Sequence, residues 1–352
     1  MIILFKASAK GIKYCKTGKG NFSEGEIEAG LMEKFLEETK KEGTARAAGY
    51  LLYHGGEYIR RNILRLDKSG IQKAEKTLKY LPEHNALIVR LIKKAVKKLG
   101  EIPHFLFCDT AFFLNIPEKS AKYAVAHGLQ EAEIRRFGSA GLYHQWVWNN
   151  FAEKISAGKI VSIRLDDYPC MAAISEGKAV ETSTGFTPVE GLPSITSCGD
   201  VDPTIILQMH SAGISIPDIN SLLAEKSGFS AYCGTKVKMS DVAKGKNKGP
   251  LREIFAYHLI KYTGAFVNIM GGVDAIVFTG TNLHQKESII YEMCKHLDFI
   301  GLKDKIKEKA VCKTEEITRL TKSNSKVHVL CAEADRWKIM AELLKKEEDY
   351  TW

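Results

Sequence analysis

The segment ETSTGFTPVEGLPSITSCGDVDP, residues 181–203, decides how this sequence is interpreted. Its three glycines are Gly185, Gly191 and Gly199. Glycines permit tight turns and let a backbone approach a ligand closely. The segment ends with Asp200 and Asp202 just before a proline, where an acidic side chain can cap the next helix. Because a helix N-terminus beside such a loop is a favourable place for an anion, the pattern predicts a phosphate-handling loop.

The composition is that of a globular protein large enough for two domains, with 352 residues, 45% hydrophobic and 26% charged. No apolar run reaches the roughly 18 residues that span a bilayer, so we expect no membrane association. The first residues, MIILFKASAKGIKY, lack the features of a secretory signal and predict a β-strand. Eight scattered cysteines without a CxxC pair predict a reduced, cytoplasmic protein without a structural zinc site.

The net charge of +9 arises from 51 basic and 42 acidic residues. Such an excess is one feature of nucleic-acid-binding proteins. The lysines are, however, spread along predicted helical faces at 91–100 and 302–313, as on solvated surfaces. We therefore expect no nucleic-acid partner.

The order of predicted elements indicates a duplicated α/β protein. Strands are predicted in the opening residues and at 104–113, and an antiparallel meander at 160–165, 170–177 and 178–183. Helices are predicted at 28–42, 71–80, 85–99, 118–136, 149–159, 203–213, 216–228, 250–270 and 284–299. Each half has strands first and then alternating helices and strands, which predicts two similar halves around a cleft. Ligands of such sheets bind outside the carboxyl ends of the strands, where Asp109 and Gly280 fall.

Two local patterns allow two interpretations each. Asp109 ends an apolar strand and is placed either for catalysis or for capping a turn through Thr110. Arg135 and Arg136 precede a Gly-x-x-Gly segment and His144. These arginines suit a phosphate or carboxylate ligand, but the local pattern favours a helix C-terminus that a glycine ends.

In their order and spacing, these segments resemble the acetate kinase (acetokinase) family. LPEHNA (81–86) is similar to its Leu-His-Asn-Pro segment, and FCDTAFF (107–113) to its Phe-Asp-Thr-Ala-Phe-His. RRFGSAGLYH (135–144) is similar to its Arg-Arg-Tyr-Gly-Phe-His-Gly-Thr-Ser-His, and the opening segment gives the closest match. LLAEKSG, IKYTGAF and MGGVDAIVFTG also resemble the family in sequence and spacing.

The resemblance implies a duplicated ribonuclease H-like fold of the sugar-kinase, actin and Hsp70 type, with an interdomain cleft. It implies domains at 1–112 plus 335–352 and at 113–334, and a homodimer formed through the second domain. The implied reaction transfers the γ-phosphoryl group of ATP, with Mg²⁺, to a short carboxylate and yields an acyl phosphate. The implied ligands are therefore a nucleotide and a small carboxylate.

The resemblance also assigns roles to individual residues. Asp109 and His144 are implied as catalytic residues, with Asp109 as the metal ligand. The implied substrate- and phosphate-binding residues are Lys13, His84, Asn85, Arg135, Arg136 and Arg164. The implied nucleotide-binding residues are Gly199, Asp200 and Gly280.

The sequence departs from the family at many functional positions. Leu51 and Ser197 replace two substrate-gripping arginines, and Ala140 replaces a histidine that contacts the phosphoryl group. The phosphate loop becomes KASAKGIK (6–13), which retains only Lys13, and Ala334 replaces an acidic metal ligand.

In the phosphate turn RLDDY (164–168), two acids replace neutral residues, and each would repel a polyphosphate by about 1–4 kcal/mol at about 4 Å. Losing one transition-state donor typically costs about 2.7–4 kcal/mol. We therefore expect a catalytically weak or inactive protein. The alternative is an active carboxylate phosphotransferase whose positive charge comes from other residues, namely Lys10, Lys13, Arg135, Arg136, Arg164 and His144.

Overall fold

The computed structural model describes residues 1–8, 11–18, 21–126, 128, 133–245, 250–302, 306, 312 and 317–347. The chain forms two compact units. Unit 1 comprises Met1–Leu114, Ser139–Leu142 and Arg336–Trp352, and unit 2 comprises Asn115–Gly138 and Tyr143–Asp335.

The strands are β1 (Ile2–Ser8), β2 (Gly11–Gly18), β3 (Asn21–Glu28), β4 (Ala47–Leu52), β5 (Ile63–Arg65), β6 (His104–Cys108), β7 (Lys159–Arg164), β8 (Cys170–Ser175), β9 (Lys178–Thr182), β10 (Ala275–Gly280), β11 (Thr318–Arg319) and β12 (His328–Glu333). The α-helices are α1 (Met32–Glu42), α2 (Lys68–Lys76), α3 (Pro82–Leu99), α4 (Glu118–Ala121), α5 (Gly141–Phe151), α6 (Pro203–Ser211), α7 (Ile216–Glu225), α8 (Gly228–Tyr232), α9 (Met239–Lys244), α10 (Leu251–Met270), α11 (Glu287–Cys294) and α12 (Arg336–Lys345).

Unit 1 contains a six-stranded mixed sheet in the order β3-β2-β1-β4-β6-β5. Strands β1, β4 and β6 are parallel, and β2, β3 and β5 are antiparallel to their neighbours. The apolar side chains of β1 and β4 are buried with those of α3, where Ile88, Leu91, Ile92 and Ala95 recur at helical spacing. One face of α3 therefore covers this sheet.

Unit 2 contains a second six-stranded sheet in the order β11-β12-β10-β7-β8-β9. Here β7, β10 and β12 are parallel, and β8, β9 and β11 are antiparallel to their neighbours. Both sheets thus have three meandering strands, two further parallel strands and an antiparallel edge strand. This equivalence confirms the predicted duplication and the predicted meander at 160–183.

The long helix α10 supplies much of the core of unit 2. Phe255, Leu259 and Phe266 of this helix are buried with Ile163 of β7 and Phe278 of β10. Burying one such side chain contributes about 1.5–3 kcal/mol relative to exposure. The core holds β7 and β10 side by side, which fixes the position of their carboxyl ends.

Two predicted helices differ from those observed. The helix predicted at 118–136 is not continuous, because α4 ends at Ala121 and Lys122 forms an antiparallel bridge with Arg135. The helix predicted at 149–159 begins earlier, at Gly141, and ends at Phe151.

The interpretation of Arg135 and Arg136 as a helix C-terminus is therefore also wrong. Gly141 does not end a helix but begins α5, and its N–H donates to the Asp109 carbonyl at 2.8 Å. A Cβ atom at position 141 would lie 2.5 Å from that carbonyl oxygen, so the close approach requires a glycine.

The predicted helix at 284–299 is shorter, because α11 covers Glu287–Cys294 between two 3-10 turns. Of the helical face predicted at 302–313, only 302, 306 and 312 lie among the described residues. Within the described part of the chain, no helix is long and apolar enough to cross a membrane.

Candidate active site

The predicted catalytic carboxylate, Asp109, lies directly after β6 in unit 1 and is 2% exposed. Its backbone N–H donates to the Leu52 carbonyl at 3.1 Å, and its carbonyl accepts from Gly141. These bonds hold the residue at the carboxyl end of the sheet. Its Oδ2 atom forms an ion pair with Nη1 of Arg336, which the sequence analysis did not assign to the site.

Arg336 begins helix α12 and is 8% exposed. A positive charge at a helix N-terminus is disfavoured by the helix dipole. The guanidinium is compensated by the Asp109 carboxylate and by the Tyr53 ring, whose centroid lies 5.3 Å away. Asp109 Oδ1 has no hydrogen-bond partner among the described residues. The Asp109 carboxylate is therefore largely neutralised by a residue of the same chain.

The described residues do not fit the Mg²⁺ ion that the family resemblance implies. Magnesium is normally held by oxygen ligands together with water. One oxygen of Asp109 already faces the positive charge of Arg336, which opposes a divalent cation at that carboxylate.

The other predicted residues of unit 1 differ in exposure. Asn85 is fully buried, and its Nδ2 atom donates to the carbonyls of His54, at 2.8 Å, and Thr77 and Tyr80, both at 3.1 Å. Asn85 therefore links the start of α3 to the preceding segments of the chain by hydrogen bonds.

By contrast, the His84 side chain is exposed and packs edge-on against Tyr53 at 5.5 Å. Lys13 is exposed on β2, opposite Lys6 of β1. Lys10, which the alternative interpretation invokes, lies outside the described residues. The substrate- and phosphate-binding roles of Lys13, His84 and Asn85 stay predictions.

A buried charge network lies at the carboxyl ends of β7 and β10 in unit 2. Arg164 Nε donates to Asp166 Oδ2 at 3.0 Å, and Lys286 Nζ lies 3.5 Å from Asp166 Oδ1. Thr281 donates to the same Oδ1 atom from its backbone N–H at 2.9 Å and its hydroxyl at 3.1 Å. Burial raises the pKa of Asp166, but Arg164 and Lys286 outweigh it, and the net pKa is lowered. Both oxygens of the Asp166 carboxylate therefore have hydrogen-bond or ion-pair partners within the chain.

The neighbouring backbone explains the glycine at position 280. Gly280 has φ +136°, and a Cβ atom there would lie 2.8 Å from Asp166 Oδ1. The second acid of the segment, Asp167, accepts from the backbone N–H of Met239 at 3.0 Å, in the first turn of α9. The expectation that both acids repel a polyphosphate is corrected for Asp166, which two cations neutralise, and stays a prediction for Asp167.

Arg136 lies beside the glycine-rich loop and contacts two acids. Its Nη1 atom is 3.2 Å from Glu181 Oε1, and its Nη2 atom is 2.6 Å from Glu190 Oε1. Glu190 also accepts from the Tyr123 hydroxyl. The neighbouring Arg135 packs over the Phe137 ring at 5.8 Å. Arg136 thus binds carboxylates of its own chain, and ligand binding by either arginine stays a prediction.

Hydrogen bonds of Asp200 and Asp202 hold the loop at 181–203 in place. Asp200 Oδ1 accepts from the Gly191 N–H at 3.0 Å, and Asp200 Oδ2 accepts from the Tyr262 hydroxyl at 2.8 Å. Gly199 has φ +73°, and a Cβ atom there would lie 2.7 Å from the Gly191 carbonyl oxygen. Asp202 caps α6 by accepting from the Thr204 N–H at 2.9 Å, whereas Asp200 does not cap it. Nucleotide binding by Gly199, Asp200 and Gly280 stays a prediction.

His144 lies inside α5 with no exposed surface. Its Nδ1 atom is 2.8 Å from Ser162 Oγ, and its Nε2 atom is 3.5 Å from Cys170 Sγ. Burial, with a smaller effect of Arg164, lowers the pKa of His144 to about 3. These contacts make His144 a neutral core residue, and its interior position does not support direct contact with a substrate.

No sequence pattern assigned Arg336 to the site, and none indicated that Asp166 and Lys286 are partners. One signal that could have indicated Arg336 is its position as the first residue of a helix, where a positive charge opposes the helix dipole and needs a partner. No local sign pairs Asp166 with Lys286, which is 120 residues further along the chain. Their proximity follows from the parallel pairing of β7 and β10.

Comparisons with known proteins agree with this architecture. A family model described as the acetokinase family matches residues 16–342. An acetate kinase from Thermotoga maritima is 35% identical over 283 residues, which cover 77% of this chain and 70% of that protein. An acetate kinase from Halothermothrix orenii is 36% identical over 272 residues, covering 73% and 67%, respectively.

Solved structures show the same fold. The acetate kinase from Entamoeba histolytica matches with a TM-score of 0.86 at 22% identity, covering 99% of this chain and 100% of that chain. The acetate kinase from Porphyromonas gingivalis matches with a TM-score of 0.83 at 24% identity, covering 97% and 98%. The predicted duplicated ribonuclease H-like fold is confirmed. With its sheet order, its motifs and the family match in agreement, the chain belongs to the acetokinase family.

Proposed function

We propose that this chain is a catalytically weak or silent carboxylate phosphotransferase, a family scaffold that has largely lost transfer of phosphoryl groups from ATP to short carboxylates. The observation that carries the proposal is the burial of Asp109 against Arg336. A carboxylate held in this way is poorly placed to bind Mg²⁺, and the reaction depends on neutralising the charge of the transferred group.

The replaced positions of the family motifs support the same conclusion. Leu51, Ser197 and Ala140 carry no positive charge where the family resemblance implies two arginines and a histidine. Removing one transition-state donor typically lowers the rate by about 10²–10³. The effects of several such losses on the rate do not add simply, but together we expect them to remove most of the catalytic activity.

The proposal is tested by trapping acyl phosphate with hydroxylamine in the presence of Mg-ATP and acetate, propionate or butyrate. We expect hydroxamate to form at least about 10³ times more slowly than with the Thermotoga maritima acetate kinase assayed in parallel. Any residual rate should be the same in Asp109→Ala if it does not arise from the family reaction. Rapid hydroxamate formation that disappears in Asp109→Ala would instead establish the active, rearranged enzyme.

We further infer that the chain forms a homodimer through α6. This helix is apolar, yet it has no buried residue, and Ile205 and Leu207 are 41% and 64% exposed. Exposed apolar groups of this kind mark protein interfaces. A second copy of the chain is the partner that the family resemblance implies.

The dimer is tested by light scattering after size-exclusion chromatography. Leu207→Glu places a charge in the interface, so we expect the mass to fall from about 78 kDa to the 39.2 kDa of one chain. Phe22→Glu, at a site 46% exposed on β3 of unit 1, is the matched control and should stay dimeric. A monomeric native protein would refute the inference.

The remaining expectations also stand as proposals. ATP is the nucleotide we propose for any residual reaction, and the domain boundaries at 112/113 and 334/335 are proposed for the family domains. None of the eight cysteines, all of which lie in the described residues, forms a disulfide, and we propose a reduced environment such as the cytoplasm. A nucleic-acid partner is not proposed.

A further inference from the structure

Four donors converge on the Asp166 carboxylate in unit 2. They are the Thr281 N–H and hydroxyl, the Arg164 guanidinium and the Lys286 ammonium. A backbone amide, a hydroxyl and two cations are the groups with which proteins bind phosphate and similar oxyanions. The carboxylate of Asp166 therefore has the surroundings of a bound anion.

The network lies where a ligand of this fold would be expected. Arg164 ends β7 and Thr281 follows β10, and these are adjacent parallel strands. Ligands of open α/β sheets bind outside the carboxyl ends of such strands. The site is also shielded from water, because Asp166 is 8% and Lys286 is 5% exposed.

Two cations surround the Asp166 carboxylate. Arg164 and Lys286 carry two positive charges, against the negative charges of Asp166 and of Asp167, which also acts on Lys286. Lys286 Nζ is further anchored by the Leu165 and Thr281 carbonyls. If the Asp166 carboxylate were removed, the two positive charges would outnumber the remaining negative charge of Asp167.

We propose that this network is a latent phosphate-binding site that the chain occupies with its own Asp166. In the native protein, Asp166 acts as an internal substitute for a phosphate group and excludes an external one. The ligand class is a small oxyanion, either inorganic phosphate or the phosphate of a nucleotide. The inference rests on the proposed function, because an anion site that the chain itself occupies would contribute to the loss of phosphoryl transfer.

The test compares Asp166→Gly, which empties the pocket, with Asp166→Asn, which removes the charge but leaves the pocket filled. Binding of inorganic phosphate, sulfate, ADP and ATP is measured by calorimetry and thermal denaturation, without Mg²⁺ or a carboxylate. We expect Asp166→Gly to bind phosphate at least about tenfold more tightly than the native chain or Asp166→Asn. Tighter binding of ADP than of phosphate would identify a nucleotide site, and equal binding a site for free phosphate.

A second variant locates the binding. Adding Lys286→Met to Asp166→Gly should abolish the gained affinity, and its persistence would overturn the proposal. So would a folded Asp166→Gly that binds no anion better than Asp166→Asn does. If Asp166→Gly folds only when phosphate or sulfate is added, the anion replaces the carboxylate and the proposal is supported. Failure to fold with phosphate, sulfate or acetate would overturn it.

The two proposals can fail separately. Rapid acyl phosphate formation by the native chain would refute the proposed function, whatever Asp166→Gly binds. Absence of phosphate binding by a folded Asp166→Gly would refute the latent site, even if the native chain proved inactive.

Discussion

Replacing Arg336 with methionine is expected to lower the free energy of unfolding by about 3–5 kcal/mol. The substitution removes the partner of Asp109, which is 2% exposed and would be left as an uncompensated buried charge. The change is measured by urea denaturation at neutral pH, with the dependence on denaturant checked for a shift in cooperativity.

A matched control and a double variant separate burial from the loss of a charge. Arg60→Met removes an arginine whose side chain is 76% exposed and lies 3.8 Å from Glu57, so it should cost less than about 1 kcal/mol. Asp109→Leu combined with Arg336→Met should recover much of the loss, because an apolar pair avoids desolvating two charges. An effect of Arg336→Met as small as that of Arg60→Met would contradict the buried ion pair.

Acidification from pH 7 to pH 5 is expected to destabilise the protein by about 3–4 kcal/mol through two buried histidines. Burial lowers the pKa of His144 to about 3 and that of His104 to about 4, below the ordinary value of 6.5. In this range the unfolded chain therefore binds protons that the folded chain does not. The free energy of unfolding consequently falls as the pH falls, and for each histidine the slope approaches about 1.4 kcal/mol per pH unit only once the pH is well below 6.5.

The measurement is the free energy of unfolding at several pH values between 7 and 5. His104→Gln keeps a hydrogen-bonding group beside the Tyr50 hydroxyl, which lies 2.7 Å from His104 Nδ1, and should remove about half of the slope. His144→Asn should remove the other half. Variants that retain the full slope would show that carboxylates, not these histidines, control acid stability.

Much of the fold could be predicted because its determinants are local. The apolar strands β4, β6, β7 and β10 are continuous runs bounded by turn residues, and the order of the motifs identified the family. Helices α5 and α4 were predicted poorly for a different reason. The Gly-x-x-Gly segment at 138–141 indicated a helix end, but Gly141 begins α5, and its lack of a side chain allows the contact with Asp109. After α4, Lys122 bridges to Arg135, and Arg136 pairs with Glu181, which lies 45 residues further along the chain.

The sequence by itself determined the family, the duplicated α/β architecture and the loss of basic residues at Leu51 and Ser197. These are properties of residue type, order and spacing, which do not require knowledge of distant contacts. Only the tertiary structure decided that Asp109 pairs with Arg336 and Asp166 with Lys286, and that His144 is a core residue. These pairings depend on which strand ends the sheets bring together from positions more than 100 residues apart. Because the paired side chains are buried, removing one partner would leave an uncompensated charge and lower the free energy of unfolding.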